Sequence, residues 1–420
     1  MTKYISRREL LKAGALAGAG LLVGGWLLHG RRKAPRTLAL EPSSAGSIYL
    51  PYLPKDPTPT ATQTPTATPT PTPTRTPTPS DGAGVAHVHA QNATTWSQQT
   101  DYWDYVDQGV VNEMVDHGVM ALTGAASVAD AWRAILPAYQ PGQGIAVKVN
   151  FNNSSASCSD SDGQIDALIH PVNAMMRGLA QIGVLESDLW VFDAIRRIPD
   201  HFVGGCLYPG VQFFDRASNG CRSPARYTSD DPNASVLFAP PAGIPQPAEE
   251  RLPDTLIDAT YLINVPILKV HGMAGVSLGF KNHFGTINRP ALLHEYIDLR
   301  ERYFSQDYSL LVDIFQNPHV GPKTVLTLGD GLFGCRTGGA VGRPTPWETF
   351  GDQAPNSLFF ASDPVAVDCV MCDFLSAEVS VPADADVYLR LAGEAGLGEY
   401  ERGDPWGSGY DQIDYLWLEL

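Results

Sequence analysis

Residues 144–152, GIAVKVNFN, alternate strictly: Ile145, Val147, Val149 and Phe151 fall on one side, and Lys148, Asn150 and Asn152 on the other. A period of two predicts an extended strand with one apolar and one polar face. Four further short apolar runs read as strands, at Leu189 to Asp193, Tyr261 to Val265, Lys323 to Asp330 and Leu358 to Ala361. Between them the spacing becomes helical. His170-Pro171 opens a helix in which Val172, Met175, Met176, Leu179 and Ile182 share a face, with Gly183 as its stop, so the methionines are expected in the core. Asp363-Pro364 supplies an N-cap and an N1 proline for a helix through Phe374. Val387 to Ala395 forms another, stopping at Gly396 or Gly398. Strands alternating with helices at these lengths predict an α/β protein with a largely parallel sheet flanked by helices, as one large core or two closely packed lobes.

The polar positions concentrate in Leu268 to Ile287, LKVHGMAGVSLGFKNHFGTI, directly behind a strand. Pro266 marks where that strand becomes an edge or runs out, and continued extension sends Lys269 and His271 to the same side. Gly272, Gly275, Gly279 and Gly285 are expected to permit positive φ and bring backbone N–H groups close to a ligand, with Lys281, Asn282 and His283 following. Asp193, ahead of Arg196 and Arg197, and Asp330 end strands, where α/β sheets commonly hold ligands. The expected site has His271 as acid/base, because imidazole changes charge near neutral pH, and Lys281 as the second catalytic group. Lys148, Asn150, Asp193, Lys269, Asn282 and Asp330 are the expected ligand-binding residues. The competing reading is a glycine-rich surface loop with solvated lysines. Asp160, Asp162 and Asp166 are spaced like the opening of a calcium loop, but the twelfth position from Asp160 is Pro171 rather than Glu, so an ordinary acidic loop is expected. Asp368 reads equally as a site carboxylate or a helix-interior residue bonded to backbone.

The K-x-H, A-G-x-S-x-G-x-K-N and F-G elements of this segment, with SDPVAVD at Ser362 to Asp368, resemble domain of unknown function 362 over roughly Ile145 to Gly398. A more distant likeness is to the lactate racemase family, in which a His, A-G-x-S-G-G and a Lys lie in one loop. That resemblance implies His271 as acid/base and Lys281 as the attachment point of a nickel pincer nucleotide, with His294 as the candidate nickel ligand. The chain departs from the racemase pattern at Leu278, where the racemases have Gly, and at Ala194 to Arg197, AIRR in place of G-x-H-R. A second acid/base histidine is therefore not evident.

The ends change the picture. Ser6 to Lys12, SRRELLK, is read as a twin-arginine signal, and Ala13 to Leu28 as its weakly apolar segment, at the short end of what spans a bilayer. Residues 1–39 are thus expected to act as an export signal or a retained membrane anchor, recognised by the twin-arginine export machinery, with the protein working outside the cytoplasm. That route carries folded proteins, often with a cofactor already inserted. Pro57 to Pro79 alternates Pro and Thr; residues 40–83 are read as an extended stalk whose Pro/Thr tract reaches on the order of 70 Å, and residues 84–420 as the α/β domain.

The chain carries a formal charge of −16. Ten Lys/Arg and three Asp/Glu precede Asp81, leaving 19 against 42 beyond it. An acidic body argues against nucleic acid and anionic membrane surfaces as partners, and makes a lysine cluster within it a candidate for a small anionic molecule. Of the six cysteines, Cys206 and Cys221 are the expected disulfide because the Gly/Pro-rich segment between them is loop-like. Cys369 and Cys372 have redox spacing but fall on an apolar helix, which favours a core role. The leading expectation is a cofactor-dependent or anion-binding enzyme, racemase- or epimerase-like on a small carboxylate. The alternatives are a tethered extracytoplasmic binding protein for an anionic small molecule, and an interaction surface.

Overall fold

The alternating segment after Gly144 becomes the second strand of an eleven-stranded sheet. The computed structural model describes residues 83–154, 157–337 and 342–420; the expected signal, anchor and stalk lie outside the described residues. In chain order the strands of the sheet are β1 (Ala83–His89), β2 (Ile145–Lys148), β3 (Leu189–Phe192), β4 (Gln212–Asp215), β5 (Ser223–Pro224), β6 (Tyr261–Asn264), β7 (Ile267–His271), β8 (Gly275–Ser277), β9 (Thr324–Cys335), β10 (Ser357–Ala361) and β11 (Ile413–Glu419). They lie across the sheet as β11-β1-β10-β9-β6-β2-β3-β4-β5, with β7 pairing to β9 and carrying β8. From β9 through β5 the neighbours are parallel, whereas β10 runs antiparallel to both β9 and β1, and β8 to β7.

Pleating divides the apolar residues between two buried layers. Ala146, Phe359 and Ala361 face one layer, and Ile145, Val147, Leu358 and Phe360 the other. The first layer is covered by the helices Leu310–Gln316, Pro364–Glu378 and Val387–Glu394, the second by Gln108–Thr123, Val128–Ile135 and Ile169–Ala180. Each fully buried Leu, Val or Phe contributes about 1.5–3 kcal/mol. Met175 and Met176 are core residues, as their spacing predicts. Asp363 caps its helix by accepting from Val365 N and Ala366 N, both at 2.9 Å. Apart from a two-stranded ladder of Ser235–Val236 with Glu250–Arg251, one doubly covered sheet joins the strands of the described region, in place of two lobes. Among the described residues no helix is long and apolar enough to cross a membrane.

Two expectations are corrected. The strand expected to end at Asp330 continues to Cys335, because β7 and β10 offer pairing partners along that further length, so Asp330 sits mid-strand. The disulfide joins Cys158 to Cys221, with Cα atoms 5.6 Å apart, and Cys206 is free. Loop contacts decide the pairing. Asp200 N donates to Cys158 O at 2.7 Å, and Arg222 Nε donates to Ile198 O, bringing the acidic loop and the Cys221 turn to the same short segment. Cys206 instead follows the helix Asp200–Gly204, where its thiol donates to Tyr208 O. Cys369 and Cys372 are buried in the helix Pro364–Glu378, and burial pushes both thiols up, Cys372 to about 12.

Candidate functional site

The C-terminal ends of three parallel neighbours, β6, β2 and β3, deliver Asn264, Lys148 and Asp193 to one edge of the sheet. Side chains placed there face the loops that follow. Lys148 is fully buried, and its ammonium donates to Val149 O, to Asn282 Oδ1 at 3.1 Å and to Asp193 Oδ2 at 3.4 Å. Those three contacts use its three protons. Burial lowers its pKa, and Asp193 opposes that shift. Asp193 also accepts from Phe151 N, Ile195 N and Arg196 N. The pair therefore ties two strand ends together.

The glycine-rich segment closes over this base. Asn282 Nδ2 donates to Asn264 Oδ1 at 2.8 Å, and Asn264 Nδ2 to Gly279 O at 3.0 Å. Asp368, inside the helix after β10, accepts from Gly279 N at 2.7 Å and Phe280 N at 3.0 Å, holding the first turn of the helix Gly279–Asn282. Burial raises the Asp368 carboxyl to about 7. Of the four glycines expected to take positive φ, only Gly275 does, at +77°. Gly279 and Gly285 serve close approach instead: a Cβ on Gly279 would lie 2.7 Å from Asp368 Oδ1, and one on Gly285 3.0 Å from Lys148 Nζ. The glycines make room for protein side chains.

A cavity of about 220 Å³ opens at this edge. It is lined by Lys148, Asn150, Asp193, His271, Lys281 and Asn282 from the expected set, and by His294, the candidate metal ligand. Two expected residues fall elsewhere. Lys269 shares a side of β7 with His271, yet its ammonium turns to Asn153 Oδ1 at 3.2 Å, with the buried Asp166 as its countercharge. Burial lowers the Lys269 pKa and raises that of Asp166. Asp330 lines a separate narrow crevice with Tyr102 and Asp166. Asp166 accepts from Asn153 N at 3.0 Å and acts on Lys269 through space.

His271 departs from the role expected of it. Its Nδ1 accepts from Met273 N and Ala274 N, both at 3.2 Å, so the proton of the neutral ring sits on Nε2. Burial, then the charges of Lys281, Lys269 and His294, push its pKa down to about 2. A ring held this way is a neutral hydrogen-bond donor across the physiological range and does not change charge near neutral pH. Lys281 differs. Burial, reinforced by Arg196, Lys269 and Lys148, brings its amine down to about 7. Its Nζ stands 4.1 Å above the centre of the Phe284 ring, and no carboxylate pairs with it among the described residues.

Arg196, which follows Asp193 and departs from the racemase G-x-H-R pattern, lines the cavity too. Its Nε donates to Asn152 O and its Nη2 to Asn152 Oδ1, both at 3.2 Å, and it has no acidic partner among the described residues. Asn264, which no sequence pattern singles out, ends a parallel strand just as Lys148 does. No group of three or more His, Cys, Asp or Glu is arranged to hold a metal among the described residues.

Residues 224–373 match the family model described as Domain of unknown function (DUF362). The matched segment is shorter than the sequence resemblance, Ile145 to Gly398, and carries Lys269, His271, Lys281 and Asp368 while leaving Lys148, Asp193 and Arg196 before it. No curated protein matches the chain.

Proposed function

We propose that the cavity binds a small carboxylate or phosphate and acts on it as an enzyme. The observation that carries this reading is two basic side chains, Lys281 and Arg196, lining one cavity with no carboxylate paired to either among the described residues. Arg196 would clamp the anion, His271 would donate from Nε2 to a substrate oxygen, and Lys281, poised near neutrality, would move a proton. Calorimetry with inorganic phosphate and with a small 2-hydroxy acid tests the anion site. Arg196→Ala and Lys281→Ala should each weaken binding at least tenfold; unchanged affinity in both would sink the reading. Deuterium exchange at the α-carbon of the bound hydroxy acid, followed by NMR, separates enzyme from carrier. Binding without exchange would favour the tethered binding protein, the alternative that uses the same cations without chemistry.

A racemase-like form of this reading has partial support. The Lys281 amine in the cavity suits covalent attachment of a pincer nucleotide, and His294, which lines the same space, would be the single protein ligand to its metal. Such a group, when bound, supplies the electron sink. The acid/base pair does not fit, because Arg196 stands where the racemase motif has histidine and His271 is locked as a donor. Nickel and a mass adduct on Lys281 in protein from its own host are the expected signs of this form. We further propose that the domain works outside the cytoplasm after twin-arginine export, held at a distance by the Pro/Thr stalk.

A further inference from the structure

We propose that Lys281 is an imine-forming nucleophile and that the substrate class is a small carbonyl compound bearing a carboxylate or phosphate. This rests on the anion-site reading above and narrows it. The comparison with Lys148 carries the argument. Both lysines line the same cavity. Lys148 has an acceptor for each of its three ammonium protons, in Val149 O, Asn282 Oδ1 and Asp193 Oδ2. Lys281 has none of that: its Nζ lies over the Phe284 ring without a carboxylate, among charges of its own sign. A lysine meant only to clamp an anion would be served better by Lys148's surroundings, whereas a nucleophile needs its lone pair free.

The neighbouring basic side chains favour the neutral amine. Arg196 follows β3, Lys148 ends β2, and Lys269 lies on β7; all three are cations, and the two histidines of the cavity, His271 and His294, have lowered pKa values through burial. The carboxylates nearby are engaged: Asp193 with Lys148 and backbone N–H groups, Asp368 with Gly279 N and Phe280 N, and Asp298 with Arg300. The ring of Phe284 favours the ammonium, but burial and three cations outweigh one aromatic face. Arg196 would take the anionic end, and His271 Nε2–H would polarise the carbonyl oxygen. The neutral amine then adds to the carbonyl carbon. A C–N bond forms, the C–O bond breaks, and the oxygen leaves as water with the two amine protons.

The experiment uses the full chain, glyoxylate as probe and cyanoborohydride as the hydride source that reduces the imine to a stable secondary amine. Limiting glyoxylate at pH 7 should leave one adduct per chain, mapped to Lys281 by peptide mass, with a rate that rises from pH 6 to 8 and then levels. Excess inorganic phosphate or Arg196→Ala should slow labelling at least tenfold. Lys281→Arg, which keeps a cation and much of the volume, should lose the adduct while still binding phosphate. Adducts spread over surface lysines with Lys281 untouched, or a rate that climbs only above pH 9, overturn the inference. If calorimetry in the same preparation still shows phosphate bound, only the imine fails; if phosphate does not bind, the anion site falls with it. A mass adduct already on Lys281 in protein from its own host also overturns it, in favour of an attached cofactor.

Discussion

Lys281 is the residue at which stability and function pull in opposite directions. Its folded pKa, about 7, lies below the 10.5 of an unperturbed lysine. The unfolded chain therefore binds more protons between those values, and this group's contribution makes the protein more stable as pH rises from 7 to 10. Below pH 7 the cost of burying the charge is fully present. Lys281→Met should accordingly raise the thermal midpoint of the ligand-free protein by a few degrees at pH 6, and lose that advantage towards pH 10, while anion binding disappears. A midpoint lowered by several degrees at pH 6 would show that the lysine holds the fold together. His271 illustrates a second point at this scale. Its histidine identity suggests a titrating base, but two backbone N–H groups on Nδ1 decide its tautomer.

Two loops hold the site, each through one buried carboxylate. Asp193 organises the turn after β3 and satisfies Lys148; Asp368 organises the helix Gly279–Asn282 from a helix 89 residues further along the chain. The two should fail differently. Asp193→Ala leaves a buried ammonium without its partner, at a cost of about 3–5 kcal/mol. Asp368→Ala strands two backbone N–H groups, costing about 1–3 kcal/mol each, and frees the Lys281 turn. Denaturant titration should show both losses. Suppressing the Lys148 charge with Lys148→Met should recover part of the Asp193→Ala loss and none of the Asp368→Ala loss. Equal recovery in both would mean that the carboxylates share one network. SDPVAVD thus earns its place beside the lysine loop structurally, since Asp363 caps the helix and Asp368 reaches across from it to the loop.

For the molecule as a whole, the disulfide is the covalent link between the acidic loop and the segment after β4. It spans a sequence separation of 63 residues, and closing a loop of that length contributes roughly 4 kcal/mol in the chain-entropy account. Replacing Cys158 and Cys221 together by Ser should lower unfolding free energy by about 2–4 kcal/mol, with Cys206→Ser near neutral. Thiol counting under denaturing conditions provides the direct check: four free thiols are expected, and a mass map linking Cys206 to Cys221 would reverse the pairing.

Periodicity alone determined the layered α/β architecture, because a run that alternates or repeats every three to four residues has one way to bury its apolar face. The same logic made Lys148, Asp193 and His271 legible as neighbours, since the C-terminal ends of parallel strands share one edge of the sheet. Proton occupancy and partner choice were not legible. Lys269 and Lys281 look alike along the chain, yet tertiary packing sends one to Asn153 and leaves the other over Phe284. Asp166, Asp368 and Cys158 lie far in sequence from what they touch, and no local pattern encodes such a pairing. The strength of a buried charge depends on what surrounds it in space, so the tertiary structure decided which lysine holds the site together and which one is free to react.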